Sequence, residues 1–140
     1  MLDTTPYGRI LTALCVWREA RSESFNADMG VAWVIRNRAE RPGWWGGPSL
    51  SSVILHPFQF SSFNANDPQS HKLPTEADWS WEQCLTATDM MLNDEPDPTL
   101  GATSYFDASL DSNPPKWATD GSNVKTVELG RLRFYKLAGT

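Results

Sequence analysis

Apolar positions early in the chain recur at helical spacing. Ile10, Leu14 and Trp17 stand at i, i+4 and i+7, which predicts one face of a helix from Tyr7 to about Ser22. Leu11, Ala13, Cys15, Val16 and Ala20 widen that surface well past a single stripe, as in a central, buried helix. Asn26 has the character of an N-cap, and a second helix follows from Ala27 to about Ala39 with Val31, Val34 and Ile35 facing inward. Ser49 predicts the cap of a short helix through Leu55, ended by His56-Pro57. Thr75 reads as the cap of a further helix, with Asp78 at its third position. Ala77, Trp81, Cys84, Leu85, Thr88 and Leu92 trace one face of it, and Asp94-Glu95-Pro96-Asp97-Pro98 stops it.

Between these periodic stretches the pattern breaks. Arg41 to Pro48 is a turn-rich loop with adjacent Trp44 and Trp45. Phe58 to Pro74 alternates aromatics with Ser, Asn, Asp and Gln, an irregular loop long enough to suggest function. After Leu100 the pattern is short and strand-like: Ser104-Tyr105-Phe106, Lys125 to Glu128, and Arg131 to Tyr135, with Gly130 as a turn. Helices first and a small sheet last predict an α+β fold that is mainly α. With no repeat, low-complexity block or long linker, residues 1–140 read as one domain.

The net charge of −5 disfavours nucleic acid, whose binding rests on Lys and Arg against phosphate. It also gives no long-range pull toward an anionic cell wall, so such a ligand needs a shaped groove. No apolar run approaches the roughly 20 residues of a membrane span. The opening Met-Leu-Asp-Thr-Thr-Pro has neither a basic nor an apolar signal region, so no secretory signal is expected. Cys15, Cys84, His56 and His71 make no zinc-ligand spacing, and no metal or organic cofactor is expected. The two thiols are compatible with one disulfide or with two buried free cysteines. Each sits on the inward face of a predicted helix, which suggests that those helices pack together.

Glu19 and Glu23 are the candidates for chemistry. Spaced i and i+4 on the predicted helix, they disfavour it by like charge, and both oppose the macrodipole in its last turn. Glu19 points between the directions of Cys15 and Val16. An apolar setting, the helix end and a neighbouring carboxylate would all push its pKa up, as a general acid on a glycosidic oxygen requires. The plain alternative is a solvated pair neutralised by Arg18 or Arg21. Trp44, Trp45, Phe58, Phe60 and Phe63 beside Gln59, Ser61, Asn64 and Asn66 offer flat faces with polar neighbours, a combination suited to sugars. Any single one of these aromatics is more readily core, and the cluster carries the signal. No G-x-S-x-G or H-E-x-x-H motif occurs, no phosphate loop is present, and Cys15 in an apolar helix is a poor nucleophile.

Glu19-Ala20-Arg21-Ser22-Glu23-Ser24, Gly30 to Arg38, and Pro57-Phe58-Gln59-Phe60-Ser61 together resemble the spore-cortex-lytic cell-wall hydrolase family (SleB-like). Gly101-Ala102 through Tyr105, Pro115 through Trp117, and Gly130 through Phe134 continue the resemblance in order, from about residue 10 to 135. The resemblance implies a lysozyme-like fold and cleavage between N-acetylmuramic acid and N-acetylglucosamine, with Glu19 as the catalytic glutamate. Two departures stand out: Ser22 replaces the glycine of E-A-R-G-E, and Leu132 occupies a position where the family often has histidine.

The expectation is therefore a monomeric glycosidase on peptidoglycan glycan strands, acting at the cell wall after release as a phage-type lysin or by another export route. Glu19 is the acid, Glu23 supports it, and Asn37, Gln59, Phe60, Ser61, Tyr105 and Trp117 bind or support substrate. No opposing carboxylate is evident except Asp107, which favours lytic transglycosylation over a hydrolytic muramidase. The rival classes are a non-catalytic glycan-binding or phage structural module and, more remotely, an amidase or peptidase.

Overall fold

Thr5 starts the first helix, its hydroxyl accepting a hydrogen bond from the Gly8 N–H at 3.2 Å, and Pro6 supplies the fixed φ of a first helical residue. The computed structural model describes residues 5–140, so residues 1–4 of the opening segment read for a signal lie outside the described residues. Helix α1 spans Pro6–Ala20. Its buried face is Thr12, Ala13, Cys15, Val16, Trp17 and Ala20. Ile10, at the same helical spacing as Leu14 and Trp17, is instead largely exposed and lines a surface cavity with Leu73 of the long loop and Trp81 of a later helix.

Helix α2 spans Phe25–Glu40, with Val31, Val34 and Ile35 fully enclosed as predicted. Ser24 caps it, not Asn26: the Ser24 Oγ accepts from the Ala27 N–H at 3.2 Å. Starting two residues earlier lets Phe25 pack on the core. Ser49 caps the short α3, Leu50–Ile54, as the sequence indicates. Helix α4 is Trp79–Leu92, and here Asp78 displaces Thr75 as the cap. Asp78 accepts from the Ser80 N–H at 2.9 Å and from the Trp17 indole at 3.1 Å, so one carboxylate starts α4 and ties it to α1. Thr75 and Ala77 are exposed ahead of the helix.

Helices α1, α2 and α4 pack on one another around Val16, Ile35, Cys84 and Met91, with α3 closing one side. Each such side chain contributes roughly 1.5–3 kcal/mol of burial free energy. The α1–α4 packing expected from the cysteines is present, and both thiols are free. The sheet has the order β1–β3–β2, all antiparallel: β1 Ser104–Asp107, β2 Val124–Leu129 and β3 Leu132–Lys136. Gly130, at φ +56°, makes the β2–β3 turn. Leu132 and Phe134 face inward. Phe134 meets α2 where Gly30 leaves room, since a Cβ there would lie 2.5 Å from the ring. A single-turn helix α5, Lys116–Thr119, lies within the stretch read as strand-like. Among the described residues no helix is long and apolar enough to cross a membrane.

Candidate active site

Glu19 occupies the last turn of α1, where the helix comes against β1 of the sheet. Its Oε1 accepts a hydrogen bond from the Tyr105 hydroxyl at 2.9 Å. Tyr105 sits on β1 opposite Phe134, the two rings 5.7 Å apart. Burial first, and then the Glu19 carboxylate, push the Tyr105 phenol above its ordinary range, so it stays a protonated donor. One carboxyl oxygen is thereby held, and no hydrogen bond holds the other among the described residues.

Two cavities adjoin at Glu19, which lines both together with Ser61. The first, of about 380 Å³, is walled by Trp44, Phe58, Gln59, Phe60, Tyr105 and Trp117. The second, of about 450 Å³, carries Arg18 and Arg21. Among the described residues Glu19 is the only carboxylate in either lining. The aromatic cluster of the sequence divides by environment. Trp45 and Phe60 are core, whereas Trp44 is 64% and Phe58 82% exposed, enough of each face for a sugar ring to cover. Phe58 holds φ +65°, a left-handed backbone uncommon for an aromatic residue, at the cavity rim.

Arg38 organises the floor. It is buried, and its guanidinium donates to the Thr103 carbonyl at 2.6 Å, the Ser104 hydroxyl at 3.1 Å and the Gln59 Oε1 at 3.4 Å. The rings of Phe60 and Trp45 lie 5.2 and 5.3 Å from it. Desolvation lowers its pKa, yet carbonyl, hydroxyl and π faces hold the cation without a carboxylate. Arg38 thus joins α2, the Gln59 loop and the start of β1. The stretch from Gly30 to Arg38 in the family resemblance carried the only sequence signal for it, and periodicity alone gives an arginine among core positions no role.

The structure brings Glu19, Gln59, Phe60, Ser61, Tyr105 and Trp117 to one cavity, but not Glu23 or Asn37. Helix α1 ends at Ala20, so Glu23 is no longer on its surface, and the i, i+4 pair does not form on a helix. Glu23 Oε1 instead accepts the Arg131 N–H at 2.8 Å and ties the α1–α2 turn to the β2–β3 turn. Asn37 is buried, donating to Asp97 Oδ2 at 3.0 Å and to the Ala102 carbonyl at 2.9 Å, and so anchors the approach to β1. Asp107 also lines neither cavity. Its Oδ2 accepts from the Ser109 N–H at 2.7 Å and from Arg131 at 3.2 Å, which holds its carboxyl below the ordinary range. Leu132 is enclosed in the core beside Phe134. Ser22 replaces a glycine without a positive φ, so the helix exit needs no left-handed residue there.

The model of the Cell Wall Hydrolase family matches residues 22–135, starting just after Glu19. The chain is similar to the crystal structure of the catalytic domain of the Bacillus cereus SleB protein, with TM-score 0.74 and 26% identity, covering 96% of this chain and 93% of that one. It is equally similar to the catalytic domain of the germination-specific lytic transglycosylase SleB from Bacillus anthracis, with TM-score 0.73 and 25% identity, covering 96% and 98%. No curated protein matches the sequence. The mainly helical α+β chain with its small antiparallel sheet has the lysozyme-like fold of these catalytic domains. The chain belongs to the cell wall hydrolase family, as a SleB-like member.

Proposed function

We propose that the protein is a lytic transglycosylase that cleaves peptidoglycan between N-acetylmuramic acid and N-acetylglucosamine, with Glu19 as both acid and base. The observation that carries this reading is the Glu19 carboxyl, the one acid at the junction of two cavities and held at one oxygen by Tyr105. Trp44, Phe58 and Trp117 are placed to stack on sugar rings, and Gln59 and Ser61 to meet their hydroxyl edges.

The free carboxyl oxygen of Glu19 delivers a proton to the glycosidic oxygen as its bond to the muramic C1 breaks. Hydrolysis by either standard route needs a second carboxylate, roughly 5–5.5 Å or 6.5–9.5 Å from the acid. Among the described residues no second carboxylate lines the cavities, and Asp107 is engaged with Ser109 and Arg131. The 6-hydroxyl of the same sugar is then the nucleophile: its oxygen bonds to C1, and its proton passes to the Glu19 carboxylate, restoring the acid. No water is consumed.

Mass spectrometry of fragments from purified peptidoglycan tests the proposal. Transglycosylation leaves 1,6-anhydro-muramic ends, lighter by one water than hydrolytic ends. Glu19→Gln keeps the shape but carries no acid proton, and lysis is expected to fall by about 10²–10⁴-fold. Retention of more than about a tenth of the activity removes Glu19 from the role, and exclusively reducing muramic ends would mean a hydrolytic muramidase.

A further inference from the structure

The second cavity at Glu19 differs in chemistry from the first. Arg18 and Arg21 both line it, one on each side of the catalytic position in sequence. Backbone carbonyls and ring faces fix both guanidinium groups. Arg18 donates to the Lys72 carbonyl at 3.1 Å and to the Ser62 carbonyl at 3.4 Å, and stands 4.6 Å from the Phe63 ring centre. Arg21 donates to the Trp17 carbonyl at 3.3 Å and lies 4.2 Å from the Trp17 ring centre. Arg9, Arg36, Arg131 and Arg133 each hold a carboxylate, yet neither Arg18 nor Arg21 enters an ion pair among the described residues. A guanidinium has five N–H donors, so each retains donors beyond those bonds. Two anchored cations against the one carboxylate of Glu19 give this lining an excess of positive charge, in a chain of net charge −5, and form a local site for an anion.

We propose that this cavity binds a carboxylate of the muramoyl unit, and that the two arginines select glycan carrying that charge. The inference rests on the reading of Glu19 as the glycosidase acid, because it takes the strand to cross both cavities at Glu19. Of the two alternating sugars only muramic acid bears a carboxyl-terminated substituent, its lactyl ether. That group is a free carboxylate in stripped glycan, and in intact wall it is the amide-linked root of a stem peptide with its own carboxylates. A strand seated with its ring faces on Trp44, Phe58 and Trp117 thus brings a muramoyl substituent toward Arg18 and Arg21. The arginines then fix the register, deciding which glycosidic oxygen meets Glu19.

The test measures binding with the full chain carrying Glu19→Gln, so that substrate is not consumed. Its cosedimentation is compared on intact sacculi, on sacculi whose carboxylates are converted to methylamides, and on glycan stripped of stem peptides by an amidase. Affinity for intact sacculi is expected to exceed that for the methylamide form by about five-fold at low salt, with the gap closing at high salt. Adding Arg18→Gln or Arg21→Gln is expected to remove the gap, and the Lys variants to restore part of it. Stripped glycan that binds no better than the methylamide form assigns the carboxylate to the stem peptide, and stripped glycan that binds better than the methylamide form assigns it to the lactyl group. Equal affinity for all three substrates overturns the proposal, and these arms alter only the substrate, so they stand even if an arginine variant folds poorly. Failure of the glycosidase reading shows separately, as absence of glycan-end products from the unsubstituted protein.

Discussion

Replacing Asp28 by Asn removes a carboxyl group that the fold encloses without a partner. Asp28 lies in α2 with no exposed surface, and neither of its oxygens accepts a hydrogen bond among the described residues. Burial, and after it the charge of Glu23, push its pKa from 3.8 up to about 7, and the Cys84 thiol of α4 is the other titratable group against it. The folded protein therefore keeps this proton to about pH 7, whereas the unfolded chain releases it near pH 4. Between those values the folded state binds more protons, so stability falls as pH rises through the window and levels off above it. A shift of that size corresponds to about 4 kcal/mol lost well above pH 7, of which about 2–3 kcal/mol falls between pH 5 and 8. Asparagine carries no such titration, and its own unsatisfied amide costs about 1–3 kcal/mol at every pH. Urea unfolding of both proteins at pH 5 and pH 8 isolates the pH-dependent part, because the histidines are common to both. Asp28→Asn is expected to gain about 2–3 kcal/mol on the parent protein between the two pH values. A difference that does not change with pH would mean that Asp28 is solvated or paired in solution, and the argument from enclosure would be wrong.

Tyr105→Phe removes the bond to Glu19 and keeps the ring on Phe134; the lytic rate is expected to fall about ten-fold with only about 1 kcal/mol of stability lost, read by turbidity and thermal melting. Arg38→Lys cannot reach Thr103, Ser104 and Gln59 together, and a loss of about 2–3 kcal/mol is expected in denaturant unfolding. Cys15 and Cys84 have thiol pKa values pushed up by desolvation, so both are expected to resist alkylation at pH 8 in the native protein and to react once it is unfolded. Labelling of either at the free-thiol rate would show that its part of the core opens.

The helices were legible because a period of 3.6 survives in Val31, Val34 and Ile35, and because burial follows that period. Boundaries were less so. Ser24 and Asp78 displaced Asn26 and Thr75 as caps through contacts local patterning does not contain: Phe25 reaching the core, and the Trp17 indole reaching Asp78 from another helix. Ile10 misled for the same reason. Its spacing fits a helical face, but the core chose the face of Cys15 and Val16. Of the candidate site, the loop residues Gln59, Phe60 and Ser61 converge with Tyr105 and Trp117 because the family motifs already named them. Glu23 and Asn37 came from the same motifs yet serve junctions between elements.

That division has a physical basis. A lone acid at a helix end needs its environment supplied by distant parts of the chain, and here each part is secured by a separate polar tie. Glu23 fixes the turn after α1 to the β2–β3 turn, Asn37 fixes α2 to the approach of β1, and Arg38 fixes α2 to both β1 and the Gln59 loop. Tyr105 then reaches Glu19 from a strand whose start is held by two of those ties. Glu23, Asn37 and Arg38 thus lock the elements that surround Glu19. Polar residues placed in this way belong to the geometry of the cleft without touching what binds there. Loss of any one tie should accordingly loosen the Tyr105–Glu19 contact before it unfolds the helices, since none of the three runs between α1, α2 and α4.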